Sequence, residues 1–474
     1  MAFSDPRYLF LLGVVAVILA VLPRGRWRLL AIIVVGLGFY AALNPAYWYI
    51  LIVVTALAYA GGITLSLTKA RRDLLFILII LSTLLPLLIF KYTSTVYRWL
   101  PAGSETAAHW STFANLILPI GISFYTFLAV GYLIDVFVGN VKAERNPLRF
   151  GALMMFFPHL TAGPIERAPH LLPQLENLGV FDYARAVAGL RAILIGLFMK
   201  IVIADTLAPH VDAVYADPRR FGAVDLTLAT VYFSFQVYAD FAGYSLIAIG
   251  SARLLGIELL TNFSQPYLSQ NLPDYWRRWH ISLSSWFRDY VFIPLQFQAR
   301  RLRKVGLAAA LVFTFVLVGI WHGAGLKYAI FGLMHGILVA YSTLTFAKRD
   351  KFLRRLGLPA VPLSIGRALA TFSIVTLTFV LFRAGGVSDA LWIYGAILGG
   401  KSAAVTLPLL VPALLIAVLV LGDVLVAKGF DLTRLPTGWR WTSYYLISFS
   451  IISASVSHAL RDSSHVQQFI YFKF

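Results

Sequence analysis

Four hydrophilic side chains sit in stretches apolar enough to cross a bilayer: Lys200, Asp240, His322 and His335. A charged group at the bilayer centre costs roughly 2.5–3.5 kcal/mol on insertion scales, so each needs a reason to be there. His322 lies in Gly319-Ile-Trp-His-Gly-Ala-Gly325, at the end of one apolar span and just before the next. An unperturbed imidazole titrates near neutrality, so it can take a proton from a hydroxyl and return it. Gly323 and Gly325 are expected to let the backbone bend and a substrate approach closely. The plainer reading of His322 is a side chain capping a helix turn through a neighbouring carbonyl. His280, in Asp274-Tyr-Trp-Arg-Arg-Trp-His-Ile-Ser282, can assist proton transfer or orient a donor substrate. It can equally be an interfacial histidine among aromatic residues. His335 follows His322 by thirteen residues and reads as a packing or hydrogen-bonding residue. Asp240 needs a partner or must become neutral. It either fixes a histidine tautomer or pairs with an arginine, and the structural role is favoured.

The elements that must position these groups are helices. Hydrophobic residues make up 59% of the 474 and charged ones only 13%, against roughly 25% charged in a soluble protein. Uncharged runs such as Ala46 to Thr68, Thr112 to Ile134 and Ser402 to Gly422 meet the ~20-residue length of a span. About twelve spans are expected, near residues 8–22, 29–43, 46–67, 74–91, 113–137, 186–204, 226–252, 305–321, 328–347, 367–384, 405–426 and 441–458. The first is read as a retained helix, because its basic cluster follows the apolar run instead of preceding it. The class is therefore an all-α polytopic membrane protein, with residues 1–474 forming a single membrane-embedded domain.

Basic residues gather in alternate loops, at Arg24–Arg28, Lys69–Arg72, Lys142–Arg149, Arg300–Lys304, Lys348–Arg355 and Lys428–Arg440. This alternation puts those loops in the cytoplasm and both termini outside it. It also assigns the net charge of +19 to orientation and to lipid headgroups, not to nucleic acid. The chain has 0 cysteines, which excludes disulfides, thiolate metal sites and an acyl-cysteine intermediate.

Two segments do not read as simple spans. Phe150 to Pro173 carries Pro158, Pro164, Pro169 and Pro173, which interrupt a helix. Gln270 to Gln298 has Trp276, Trp279, Leu283 and Phe287 at helical spacing, with Arg277, Arg278 and Arg288 pointing elsewhere. That pattern is an amphipathic interfacial helix or a re-entrant segment. No P-loop, dinucleotide glycine fingerprint, His-Glu-x-x-His motif or serine elbow is present. The histidines have no ligand spacing, so no metal is expected.

Taken in order, several segments resemble the membrane-bound O-acyltransferase family, in its bacterial branch that acetylates alginate and similar exopolysaccharides. They are Leu118-Pro-Ile-Gly-Ile-Ser-Phe-Tyr-Thr-Phe127, Ala162-Gly-Pro-Ile165, Tyr238-Ala-Asp-Phe-Ala-Gly-Tyr-Ser245, Asn262-Phe263 and Pro266-Tyr267. Further on come Tyr275-Trp-Arg-Arg-Trp-His-Ile-Ser-Leu-Ser284, Trp286-Phe-Arg-Asp-Tyr290, Gly319-Ile-Trp-His-Gly-Ala324 and the ending Phe469-Ile-Tyr-Phe-Lys-Phe474. The core of the likeness is residues 118–338.

The resemblance implies that His322 is the catalytic histidine and His280 the second functional one. It implies a cytoplasmic thioester donor, an acyl-CoA or acyl-carrier, with no bound cofactor. Arg277 and Arg278 then become candidates for docking that anionic donor. The implied reaction is O-acetylation of a cell-surface polysaccharide at the bacterial inner membrane, directly or through a periplasmic acetyltransferase partner. D-alanyl transfer to teichoic acid and acetyl transfer to peptidoglycan are the alternatives within the family. A lipid or polysaccharide transporter is the alternative outside it, although paired broken helices in two related halves are not evident.

Overall fold

The computed structural model describes residues 3–100, 116–355, 357–461 and 469–470. The start of the predicted span near 113–137, the tail residues 462–468 with Ser463, and the last four residues of the C-terminal motif lie outside the described residues. Every described regular element is helical, as the apolar periodicity requires.

In chain order the helices are α1 (Pro6–Val21), α2 (Arg26–Leu43), α3 (Tyr49–Leu67), α4 (Arg72–Trp99), α5 (Ile122–Val138) and α6 (Pro147–Met154). Next, α7 (Tyr183–Leu197) runs through a π-helical stretch, Phe198–Ala204, into α8 (Asp205–Ala216), and α9 (Ala223–Leu254) follows. The rest are α10 (Leu272–Arg278), α11 (Ile281–Phe287), α12 (Arg303–His322), α13 (Leu326–Arg355), α14 (Ala360–Arg383), α15 (Val387–Leu398), α16 (Leu410–Ala427) and α17 (Thr437–Arg461).

Each of the twelve expected spans overlaps a described helix. Among the described residues, eight helical stretches are long and apolar enough to cross a membrane. The expected spans near 8–22 and 113–137 fall on apolar helices shorter than that, α1 and α5. Those near 226–252 and 441–458 fall on α9 and α17, which are outside the eight. In the apolar windows of α4 and α16 only 11% is buried by protein. Water would not tolerate so much exposed Leu, Ile and Val, whereas lipid does.

The chain divides into two compact units, Met1–Ile193 with Tyr244–Thr261, and Leu194–Gly243 with Asn262–Phe474. In the first, a buried aromatic group of Phe3, Tyr8, Phe39, Phe157 and Tyr244 packs ring to ring. The proline-rich stretch is broken as expected, into short helices Phe157–Leu160 and Ala168–Leu171 with a proline in each first turn. Buried Glu166 holds this stretch in place. Its carboxylate accepts the backbone N–H of Leu260 at 2.6 Å and lies 2.8 Å from His170 Nδ1.

The second unit holds His280, His322 and His335. Helices α12 and α13 form a hairpin whose backbones nearly touch. A Cβ at Gly319 would lie 2.2 Å from the Tyr328 carbonyl oxygen, and one at Gly332 2.2 Å from that of Phe315. Small residues allow such an approach between helices in lipid. Helix α10 starts where Asn271 accepts the N–H of Asp274 at 2.8 Å, with Pro273 in its first turn.

Candidate active site

His322 is the last residue of α12 and is only 7% exposed. Its ring meets Trp321 at 4.9 Å and Phe382 of α14 at 5.2 Å, both edge-on. With Trp276, Trp279, His335, Phe331 and Phe379 it lines a cavity of about 10 Å³, the volume needed to admit one water. Gly323 beside it has an extended backbone, φ −173°, that any residue adopts. The expected bend is therefore not its role. A Cβ there would lie 2.2 Å from the Tyr328 ring, so the glycine makes room for that ring against the histidine loop.

His280 is fully buried and sits between α10 and α11 with φ 45°. A non-glycine residue in the left-handed region stores strain that neighbours must hold. Asn262 supplies part of that hold. Its carbonyl accepts the N–H of Ile281 at 2.9 Å, and its side-chain oxygen accepts the Ser282 hydroxyl at 2.6 Å. The His280 ring stands edge-on to Phe241 at 4.6 Å and to Trp321 at 5.8 Å. Trp321 therefore contacts both histidines. The expected amphipathic pattern is present, with Trp276, Trp279, Leu283 and Phe287 all buried. The helix breaks at His280, however, and this histidine lies inside the protein.

His335 has both ring nitrogens engaged. Trp276 Nε1–H points at Nδ1 from 3.3 Å, which leaves the proton on Nε2, 2.9 Å from the Thr378 hydroxyl. That hydroxyl in turn donates to the Val375 carbonyl. His335 is a neutral structural histidine that orients Trp276 in the cavity wall, as its sequence context suggested.

Among the described residues Asp240 is bonded to no histidine, and its charged partner is a lysine, not an arginine. Lys200, in the π-helical stretch, places its ammonium 2.8 Å from Asp240 and 2.7 Å from Asp205. The second Asp240 oxygen accepts the N–H of Ile470 at 2.7 Å. Lys200 and Asp240 thus answer each other's burial.

Arg277 and Arg278 do not line the cavity. The Arg277 side chain is 72% exposed and lies 3.8 Å from Asp274. Arg278 is half-buried, bonded to Asp274 at 3.1 Å. Sequence reasoning missed Asp423, which accepts the Tyr238 hydroxyl at 3.0 Å on both oxygens. An acid directly after the uncharged run ending at Gly422 was the available signal.

Residues 145–365 match the family model for MBOAT, the membrane-bound O-acyltransferase family. The chain is 33% identical over 404 residues to the probable alginate O-acetylase AlgI of Pseudomonas syringae pv. tomato, covering 84% of this chain and 75% of that protein. It is 31% identical over 401 residues to the peptidoglycan O-acetyltransferase of Helicobacter pylori, covering 79% and 73%. Against the teichoic acid D-alanyltransferase of Bacillus subtilis the identity is 29% over 299 residues, covering 62% and 72%.

Proposed function

Since the chain belongs to the membrane-bound O-acyltransferase family, and is thereby a multi-pass membrane acyltransferase, we propose that it moves an acetyl or similarly short acyl group from a cytoplasmic thioester for O-acylation of a cell-surface polysaccharide. The observation that carries this reading is His322 itself, a buried imidazole at the end of a spanning helix, on the wall of a small aromatic-lined cavity. His322 takes the proton of the attacking hydroxyl, a C–O bond forms as the C–S bond of the thioester breaks, and the proton passes on to the departing thiolate. His280 orients the donor side through the shared Trp321 ring.

The test is single-turnover transfer by the purified protein in nanodiscs, with acetyl-CoA, an acetyl-carrier and a D-alanyl-carrier as donors. Acetyl consumption that depends on a polysaccharide acceptor or a periplasmic acetyltransferase supports the proposal. Consumption of the D-alanyl donor alone defeats it.

Donor docking carries its own expectation. Arg277 is the exposed cation of the pair, whereas Arg278 is held by Asp274. Arg277→Gln raises the apparent KM for the thioester more than it lowers kcat, and added salt narrows the gap. A raised acceptor KM with an unchanged donor KM would put this arginine on the opposite path.

Orientation can be tested by labelling, since the chain has 0 native cysteines. Ser402→Cys, in the loop after α15, reacts with an impermeant maleimide on intact cells. Lys351→Cys, at the end of α13, reacts only once the inner face is opened. The reverse pattern would invert the proposed inner-membrane topology and place both termini inside.

A further inference from the structure

A hollow of about 590 Å³ opens on one face of the last turns of α13, lined by Phe346, Ala347, Asp350, Lys351 and Arg355. The apolar span of this helix runs from Leu326 to Leu353, so the hollow lies where hydrocarbon gives way to headgroups. Its charges are unbalanced. Asp350 is answered by Arg367 of α14 at 2.8 Å. Lys351 and Arg355 are exposed, and among the described residues neither side chain has a hydrogen bond or a carboxylate partner. The helix end supplies only about half a negative charge, which two full cations outweigh. Arginines of other basic loops are held by their own fold instead. Arg28 donates to the carbonyls of Leu22 and Leu178, Arg72 to those of Leu65 and Val136, and Arg149 to that of Leu172. The hollow also has an apolar side. Phe346 is exposed in it, and Lys351 and Arg355 follow Leu333 and Ile337 by eighteen residues each, five turns at about 3.6 residues per turn. Leu333 and Ile337, both exposed, therefore stand on the same face as the two cations, farther into the membrane.

We propose that this hollow binds an anionic phospholipid, with Lys351 and Arg355 on the headgroup phosphate and the acyl chains against Phe346 and the face that carries Leu333 and Ile337. The two cations are one helical turn apart and so reach the same group. The Arg355 guanidinium can take two phosphate oxygens in parallel, and the Lys351 ammonium adds a point charge. Basic pockets at the cytoplasmic ends of spanning helices suit such headgroups, and in the topology proposed above this end of α13 faces the cytoplasm. The volume equals about twenty waters at ~30 Å³ each, room for a headgroup with part of its hydration. A water-soluble anion would use the cations alone, whereas a lipid uses the cations and the apolar face together. Neither cation lines the His322 cavity, so this binding is separate from acyl transfer.

The experiment is native mass spectrometry of the full chain, released from micelles that hold equal amounts of dioleoyl phosphatidylglycerol and dioleoyl phosphatidylcholine. The anionic lipid is expected to stay bound roughly tenfold more than the zwitterionic one. Lys351→Gln with Arg355→Gln lowers it to the phosphatidylcholine level, and Lys351→Arg keeps the excess. Lys428→Gln with Arg434→Gln removes two cations from another basic loop and keeps it too. The comparison of lipids on the unaltered protein needs no variant to fold. Equal retention of the two lipids overturns the proposal. So does an excess that both double variants lose alike, because that would be the field of the whole chain and not a site. Coenzyme A and inorganic phosphate are then added as phosphates without acyl chains. Lipid that stays bound in their presence supports the assignment, and lipid that either one displaces at submillimolar concentration overturns it in favour of a water-soluble phosphate.

Discussion

Replacing His322 with alanine lowers acyl transfer by roughly 10²–10⁴-fold, the usual contribution of a positioned acid–base group. The protein should still insert and accumulate. The His322 ring makes edge contacts with Trp321, Phe331 and Phe382. Removing the ring therefore enlarges an existing cavity of about 10 Å³. The measurement is single-turnover transfer per folded molecule, alongside surface acylation in cells that carry only the variant. Wild-type acylation by a His322→Ala protein would remove His322 from the chemistry. His280→Ala is the informative companion. His280 holds a left-handed backbone against Phe241 and Trp321, so its loss combines a packing defect with any catalytic one. The stability of that variant must be measured before its rate is interpreted.

The second large effect falls on stability. Lys200 is 2% exposed and lies between Asp205 and Asp240. Lys200→Met leaves both carboxylates without their cation, and breaking a buried pair from one side costs about 3–5 kcal/mol. The double variant Lys200→Met with Asp240→Asn should recover part of that loss, because it removes one of the stranded charges. Thermal unfolding of the purified variants in detergent measures both. A Lys200→Met protein that unfolds at the wild-type temperature would show that the pair contributes nothing to stability. The same measurement addresses the role of Asp240. Asp240 also anchors the Ile470 N–H. A structural Asp240 predicts that lost activity tracks lost folded protein. A direct partner of a catalytic histidine would instead lose rate in molecules that remain folded.

The sequence by itself determined the membrane class, the helical architecture and the family. It also singled out His322, and it identified His335 as a bonding residue. These properties are local. Twenty apolar residues in a row must cross lipid as a helix whatever surrounds them, because only intrahelical bonds satisfy the backbone there. The order of short motifs is likewise readable without coordinates. The prolines from Pro158 to Pro173 foretold a broken segment for a similar reason, since the missing N–H and the ring clash belong to the residue itself.

Only the tertiary structure decided which groups meet. Asp240 found Lys200, forty residues earlier, instead of an arginine or a histidine, because a π-helical stretch turns that lysine toward α9. Periodicity placed Trp276 and Trp279 on one face correctly, but it could not foresee that the helix breaks at His280 and carries the imidazole into the interior. Lys327 and Arg383 lie at the ends of α13 and α14 and Gln236 within α9, and all three line one cavity of about 160 Å³. Their convergence on one cavity joins positions far apart in the chain, and such encounters are set by helix packing, which no local pattern of residue types encodes.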